Sequence, residues 1–349
     1  MKKKLSIPLK LIILGVIVLL LFIISLFVGS SSMRLGEAIN ALFGKGQNNY
    51  IVIMQKIRLP RTIAALVVGS GLALSGLIMQ STLGNEMASP STLGVSNAAT
   101  FGANVAIIGF AGGFLTTGNN LNNYLASSNY YSTALIAFIF AFASIIITLE
   151  LCKIKSLSKV TIVLAGVAMG SIWSALTSLL QFFATDISLS AAVVWAFGDL
   201  SRATYKIDLV ISICLVLSLT YFITSSRKFN ALLSGDEVAK SVGVKVERIR
   251  FISLMIASLI TALCVANLGI IGFVGIICPH IAKRIFGFNH KHTLIATPLL
   301  GSILLLLADT LARILGKGTA IPVGIITSII GAPFFLYIIF RRKGVSTDA

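Results

Sequence analysis

Acidic residues are scarce in this chain. Asp and Glu together number 11 among 349 residues, and charged residues of both signs make up only 11%. A soluble protein of this size needs charge over much of its surface, so the scarcity excludes an ordinary water-facing fold. Neither GxxxxGKS nor GxxxxGKT occurs, so the chain has no phosphate-binding loop of its own, and HExxH is absent too. The three histidines, His280, His290 and His292, lie on one inner loop without cysteine or carboxylate companions at metal spacing. They read as structural or solvated. Cys152, Cys214, Cys264 and Cys278 sit in or beside apolar runs and form no CxxC pair, which excludes a zinc site and a disulfide framework. No metal and no cofactor is expected.

The carboxylates that are present avoid the middle of the apolar runs. Glu86 and Glu150 fall near inner run ends, and Asp186, Asp199 and Asp309 near outer ones. An ion-coupled transporter keeps acidic or basic groups inside the membrane, at a cost, because they carry the coupling ion. Their absence disfavours that class. A membrane-embedded hydrolase needs a catalytic constellation, and none is found.

What the chain has in abundance is hydrocarbon, at 56% hydrophobic residues. Runs long enough to cross a bilayer recur, about 20 residues each. Eight are clear, and two weaker ones, Leu93 to Leu115 and Gly269 to Cys278, complete a predicted ten. The expected fold is an all-α integral membrane protein, one transmembrane domain over residues 1–349. The opening MKKK and apolar run lack a clear small-residue cleavage site before Arg34, so the first span reads as retained.

A net charge of +17 raises nucleic acid as a partner. The distribution argues otherwise. With both termini inside, 19 of the 28 Lys and Arg fall on inner segments and nine on outer ones, as the positive-inside rule expects. The outer segment of about 30–61 contains a predicted surface helix from Leu35 to Phe43. Other outer stretches are Gly118 to Tyr131 and Asp186 to Lys206, where Trp195 and Tyr205 read as interface anchors. Small residues concentrate in two spans, Gly69 to Gly76 and Gly166 to Gly170. Composition leaves open whether they serve packing within one subunit or line a path.

One inner segment stands out. KFNALLSGDEVAKSVGVKVERIR, Lys228 to Arg250, is a polar interruption mixing charge with Ala231, Leu232, Leu233, Val238, Val242 and Val244. It suits a pair of short amphipathic helices at a membrane surface, within a predicted loop of about 226–250.

Seven separated motifs point one way: RLPR (Arg58 to Arg61), GLIMQ (Gly76 to Gln80), MASPSTLGVSNAA (Met87 to Ala99), LSGDEVAKSVGV (Leu233 to Val244), GFVGIICPHIAKR (Gly272 to Arg284), ADTLAR (Ala308 to Arg313) and IPVGIITSIIGAPFFLYIIFRR (Ile321 to Arg342). In order and spacing they resemble the permease subunits of bacterial ABC importers for iron–siderophores, haem and cobalamin, the FecCD-type family. The resemblance covers the chain from about residue 50 onwards. It departs at Asn85-Glu86-Met87-Ala88, where the family commonly has Asn-Pro-Leu-Ala.

The resemblance implies a fold similar to the cobalamin importer permease, in the bacterial cytoplasmic membrane. It also implies a second permease subunit, a separate ATPase dimer inside and a substrate-binding protein outside. The chain itself is then not an enzyme. A ferric siderophore is the leading cargo, with haem or cobalamin as the alternative. In similar permeases the arginines matching Arg58, Arg61 and Arg313 meet glutamates of the binding protein, a task suited to bidentate guanidinium. Leu233, Ser234, Gly235, Asp236, Glu237, Val238 and Val242 match the ATPase coupling loop. There Gly235 makes the turn, Asp236 and Glu237 cap the second helix, and Val238 and Val242 insert into the ATPase. The inner gate falls at Asn85 and Met87 and at Ser156, Leu157 and Ser158.

Overall fold

A computed structural model describes residues 6–29, 33–110, 129–154, 157–316 and 321–341. Among them the backbone is helical, with no strand beyond a single bridge between Phe197 and Ile270. The helices are α1 (Ile7–Phe27), α2 (Leu35–Leu42), α3 (Asn48–Leu83), α4 (Val95–Phe110), α5 (Tyr130–Lys153), α6 (Lys159–Phe182), α7 (Asp186–Ala196), α8 (Tyr205–Thr224), α9 (Ser226–Leu233), α10 (Asp236–Ser241), α11 (Val246–Leu268), α12 (Val274–Phe286), α13 (His290–Leu315) and α14 (Val323–Arg341). Seven of these, α1, α3, α5, α6, α8, α11 and α13, are long and apolar enough to cross a membrane. The remaining predicted spans fall on the shorter helices α4, α12 and α14. The predicted surface helix is present as α2. Most of the stretch from Gly118 to Tyr131 lies outside the described residues.

Helix α3 is the axis of the bundle, and all its residues from Pro60 to Leu83 are buried except half-buried Ile63 and Leu66. Its small residues allow this. A Cβ added at Gly69 would lie 2.4 Å from the carbonyl oxygen of Gly301 on α13, and one at Gly76 would lie 1.8 Å from that of Gly275 on α12. Only hydrogen fits at such crossings. Hydroxyls then join the faces: Ser70 Oγ lies 2.7 Å from Ser302 Oγ, and Ser75 Oγ donates to the Ala257 carbonyl at 2.9 Å. The glycines of the second span therefore pack within one chain. Those of the fifth do too, since Gly166 and Gly170 meet the turn of Thr92 to Gly94 and the Asn97 side chain.

RLPR lies inside α3, which runs unbroken from Asn48 with a π-helical stretch from Ile53 to Arg58 just before Pro60. Proline withholds one backbone donor, and Thr62 Oγ1 donates to the carbonyl of Arg58 four residues earlier at 2.8 Å. The predicted span Gly269 to Cys278 begins late. Gly269 takes φ +77° and Phe273 φ +66°, which ends α11 and delays α12 to Val274.

Backbone outside a helix at this depth needs partners. Asp199 N–H donates to the Leu268 carbonyl at 2.8 Å, Ile270 N–H to Ala196 at 3.3 Å and Gly324 N–H to Gly198 at 3.0 Å. Trp195, read as an interface anchor, is buried beside this crossing, while Tyr205 is exposed.

Candidate coupling and gating site

At one end of the bundle α9 and α10 form an elbow. Gly235 turns it, at φ +106° and ψ 159°, a conformation that essentially only glycine adopts. Each short helix is amphipathic. Phe229, Leu232 and Ala239 are buried against the bundle, whereas Leu233, Val238 and Val242 stay exposed, Val242 at 66%. Ser234 is exposed beside them. Three exposed apolar side chains on a charged elbow make a surface suited to a partner.

The two acids do not cap α10 as expected. No side-chain cap bond forms at its start, and Glu237 pairs instead with Lys240 at 3.0 Å. Asp236 turns inward. Its carboxylate takes Arg250 Nη2 at 2.9 and 2.7 Å and Lys159 Nζ at 2.9 Å. Partial burial pushes the Asp236 pKa up, but the hydrogen bonds and charges of Arg250 and Lys159 outweigh it, holding the carboxyl below its ordinary range.

Arg250 is the hub, only 2% exposed in the first turns of α11. Besides Asp236, its Nε donates to the Thr82 carbonyl at the end of α3 (3.1 Å) and its Nη1 to the Leu157 carbonyl (2.8 Å). One guanidinium thus ties the elbow to α3 and to the turn before α6. Its planar fork allows three directions at once, which an ammonium could not span. A second tie reaches the same turn of α3 from α9. Asn230 Oδ1 lies 2.9 Å from His290 Nδ1, and His290 Nε2 lies 2.7 Å from Ser81 Oγ.

The predicted gate residues converge on this corner. Asn85 Oδ1 accepts the Met87 N–H at 2.9 Å, closing a turn that leaves Met87 51% exposed. A Cβ added at Gly84 would lie 3.4 Å from Lys159 Nζ, so this turn abuts the start of α6. Leu157 is buried with φ +50° and Ser158 is exposed; Ser156 lies outside the described residues. Glu86, the departure from the family pattern, has Oε2 4.0 Å from His280 Nδ1.

At the opposite end the three arginines do not project outward as expected. Arg58, Arg61 and Arg313 are 6%, 4% and 8% exposed. Arg58 donates to the Phe27 carbonyl at 3.0 Å, and Arg313 to the Val28 carbonyl at 2.9 Å and Ser25 Oγ at 2.6 Å. Asp309, wholly buried, pairs with Arg61 at 2.7 Å and Arg313 at 3.0 Å. Asp309 and the end carbonyls of α1 thus hold these arginines inward, while Arg61 Nη2 is buried without a hydrogen-bond partner among the described residues.

Sequence reasoning passed over Arg250, Lys159 and the Asn230–His290 pair. Arg250 carried one signal: a permanent charge one turn inside a helix that is otherwise apolar. Asp208 was also passed over; it is buried in the first turn of α8 and its carboxylate has no hydrogen-bond partner among the described residues. A groove of 560 Å³ runs along the open face of α6, lined by Ser171, Ser174, Ser178, Thr92 and Asn97.

The FecCD transport family profile matches residues 15–341. An ABC transporter permease protein of Methanocaldococcus jannaschii is 42% identical over 95% of each chain. The Fe(3+)-citrate import system permease protein of Bacillus subtilis is 32% identical over 95% of this chain and 94% of its own. A solved structure described as an inward-facing conformation of a metal-chelate type ABC transporter superposes with a TM-score of 0.80, at 28% identity, over 96% of this chain and all of the other. The elbow, the apolar helices and these relatives make the chain a multi-pass ABC importer permease belonging to the FecCD transport family.

Proposed function

We propose that the chain moves an iron chelate, a ferric siderophore before haem or cobalamin, from an outer binding protein into the cytoplasm, driven by an ATPase dimer docked on the α9–α10 elbow. The carrying observation is the Arg250 hub. Leu233, Val238 and Val242 offer the ATPase an apolar grip, and Asp236 passes its motion through Arg250 to Leu157 and Thr82. Those carbonyls flank the gate turns at Asn85 to Met87 and at Ser158. ATP-driven closure of the ATPases would then shift the population between outward- and inward-open states.

The groove on α6 supports a path shared with a second permease subunit. Its serines, Thr92 and Asn97 offer hydroxyls and an amide with no fixed charge, so a chelate could pass without being held. The Bacillus subtilis relative, named for Fe(3+)-citrate import, supports an iron chelate as the cargo class.

At the outer end, exposed Arg34, Lys45 and Lys56 would meet the binding protein's carboxylates. Arg58, Arg61 and Arg313 would serve docking by bracing the edge that carries them. Exposed ion pairs contribute about 0–1 kcal/mol each, so docking of this kind should weaken with salt.

The test is exchange of Leu233 to Val242 for a Gly/Ser linker, in membranes that also contain the ATPase and binding protein. Uptake of ferric siderophore should stop while the chain still folds and ATP hydrolysis no longer responds to the loaded binding protein. Uptake that survives the exchange, or that a pH or sodium gradient drives without ATP, would overturn the proposal.

A further inference from the structure

A cleft of 720 Å³ opens on the same end of the bundle, beside the elbow but away from the gate. Four cations line it: Arg227 and Lys228 from the start of α9, Lys245 preceding α11, and Arg248 in its first turn. All four are exposed, and none makes an ion pair or a side-chain hydrogen bond among the described residues. The neighbouring acids are turned elsewhere. Asp236 is held by Arg250 and Lys159, and Glu237 by Lys240; Glu247 acts on Lys240 as well.

The remaining wall is apolar. It includes Tyr221, in the last turn of the span α8, and Ile252, on the span α11. Exposed Leu217, one turn before Tyr221 on the same face of α8, continues it along that span. The uncapped start of α11 also meets the cleft, adding the positive end of its backbone dipole. Unpaired cations, a tyrosine at the boundary and a hydrocarbon wall along two spans form a surface with one charged and one greasy end.

We infer that this cleft binds the phosphate headgroup of an anionic phospholipid, with its acyl chains lying along α8 and α11. A free phosphate or nucleotide would satisfy the cations but leave the apolar wall bare. A basic pocket between spans on the positive-inside face is where anionic headgroups concentrate, drawn by each Lys or Arg near the surface.

The test is native mass spectrometry of the full-length permease, purified in mild detergent and incubated with either phosphatidylglycerol or phosphatidylcholine. One phosphatidylglycerol per chain should be retained at least tenfold above phosphatidylcholine. The double variants R227Q/K228Q and K245Q/R248Q should each lose that preference, while R284Q/K291Q, which removes two exposed cations from the same end, should keep it. Because all the substituted side chains are exposed, an unchanged thermal unfolding profile is expected and checks the fold. Inorganic phosphate at millimolar concentration should not displace the lipid. Equal retention of the two lipids, retention unchanged in both cleft variants, loss in R284Q/K291Q, or displacement by phosphate would each overturn the inference. It stands whether or not the cargo is an iron chelate, since the readout involves neither transport nor ATP.

Discussion

At the scale of single residues, the decisive group is Arg250. Without its guanidinium the buried Thr82 and Leu157 carbonyls lose their donor and Asp236 keeps only Lys159, a loss of about 1–3 kcal/mol. R250M should therefore unfold at lower temperature in detergent. R250K should fold nearly normally but lose most uptake, because a single ammonium cannot reach Asp236, Thr82 and Leu157 together. Equal uptake by R250K and the wild type would remove Arg250 from the coupling route.

Asp236 gives a pH signature. Its folded-state pKa lies below the ordinary carboxylate value, so the unfolded chain takes up the proton first as pH falls. Its contribution is present in full at neutral pH and fades as pH drops through the folded pKa. The stability gap between wild type and D236N should accordingly be widest near pH 7 and shrink below about pH 4, near the unperturbed carboxylate value. Thermal unfolding at a series of pH values measures it. A gap that stays constant down to acid pH would mean that the carboxylate charge is irrelevant.

At the scale of elements, crossings that leave no room for a side chain set the architecture. G69L would drive a side chain into the Gly301 backbone, which cannot withdraw as a flexible side chain could. Overpacking of this kind costs about 1–3 kcal/mol, and more where backbone must move. Loss of a monodisperse peak in size exclusion is the expected outcome. G15L, on the first span where an added Cβ meets nothing within 4 Å, should be tolerated. The same logic explains the boundaries that sequence patterns misplaced. Hydropathy registers an apolar run but is blind to the left-handed turn at Phe273 and to the carbonyls that satisfy Ile270 and Asp199 from another element.

At the scale of the whole molecule, the two ends differ in kind. One braces α1, α3 and α13 with buried arginines around Asp309. The other carries the elbow, the gate turns and the cationic cleft. In inside-out vesicles a membrane-impermeant maleimide should label K240C but not K45C, and right-side-out vesicles should reverse the pattern. Of the native cysteines, Cys152, Cys264 and Cys278 are buried and only Cys214 is partly exposed, so background labelling should be low. Labelling of both positions from one face would refute the orientation drawn from the positive charges.

Much of this protein was legible in its residues taken singly or in local runs. The spans follow from hydropathy, the elbow from Gly235 between two amphipathic segments, and the family from motifs whose order and spacing survive without a structure. What local patterns could not decide is where long, branched or charged side chains end. Arg58, Arg61 and Arg313 sit in stretches that read as outer surface, yet they turn inward because Asp309 and the end carbonyls of α1 offer better partners than water. Asp236 reads as a helix cap, yet it crosses to Arg250, 14 residues away, which itself reaches back 168 residues to Thr82. Local sequence determines which helices form, because that rests on backbone hydrogen bonds and nearby hydropathy. Only the packed bundle decides which charges meet, because their partners come from distant elements and their pairing depends on being withdrawn together from water and lipid.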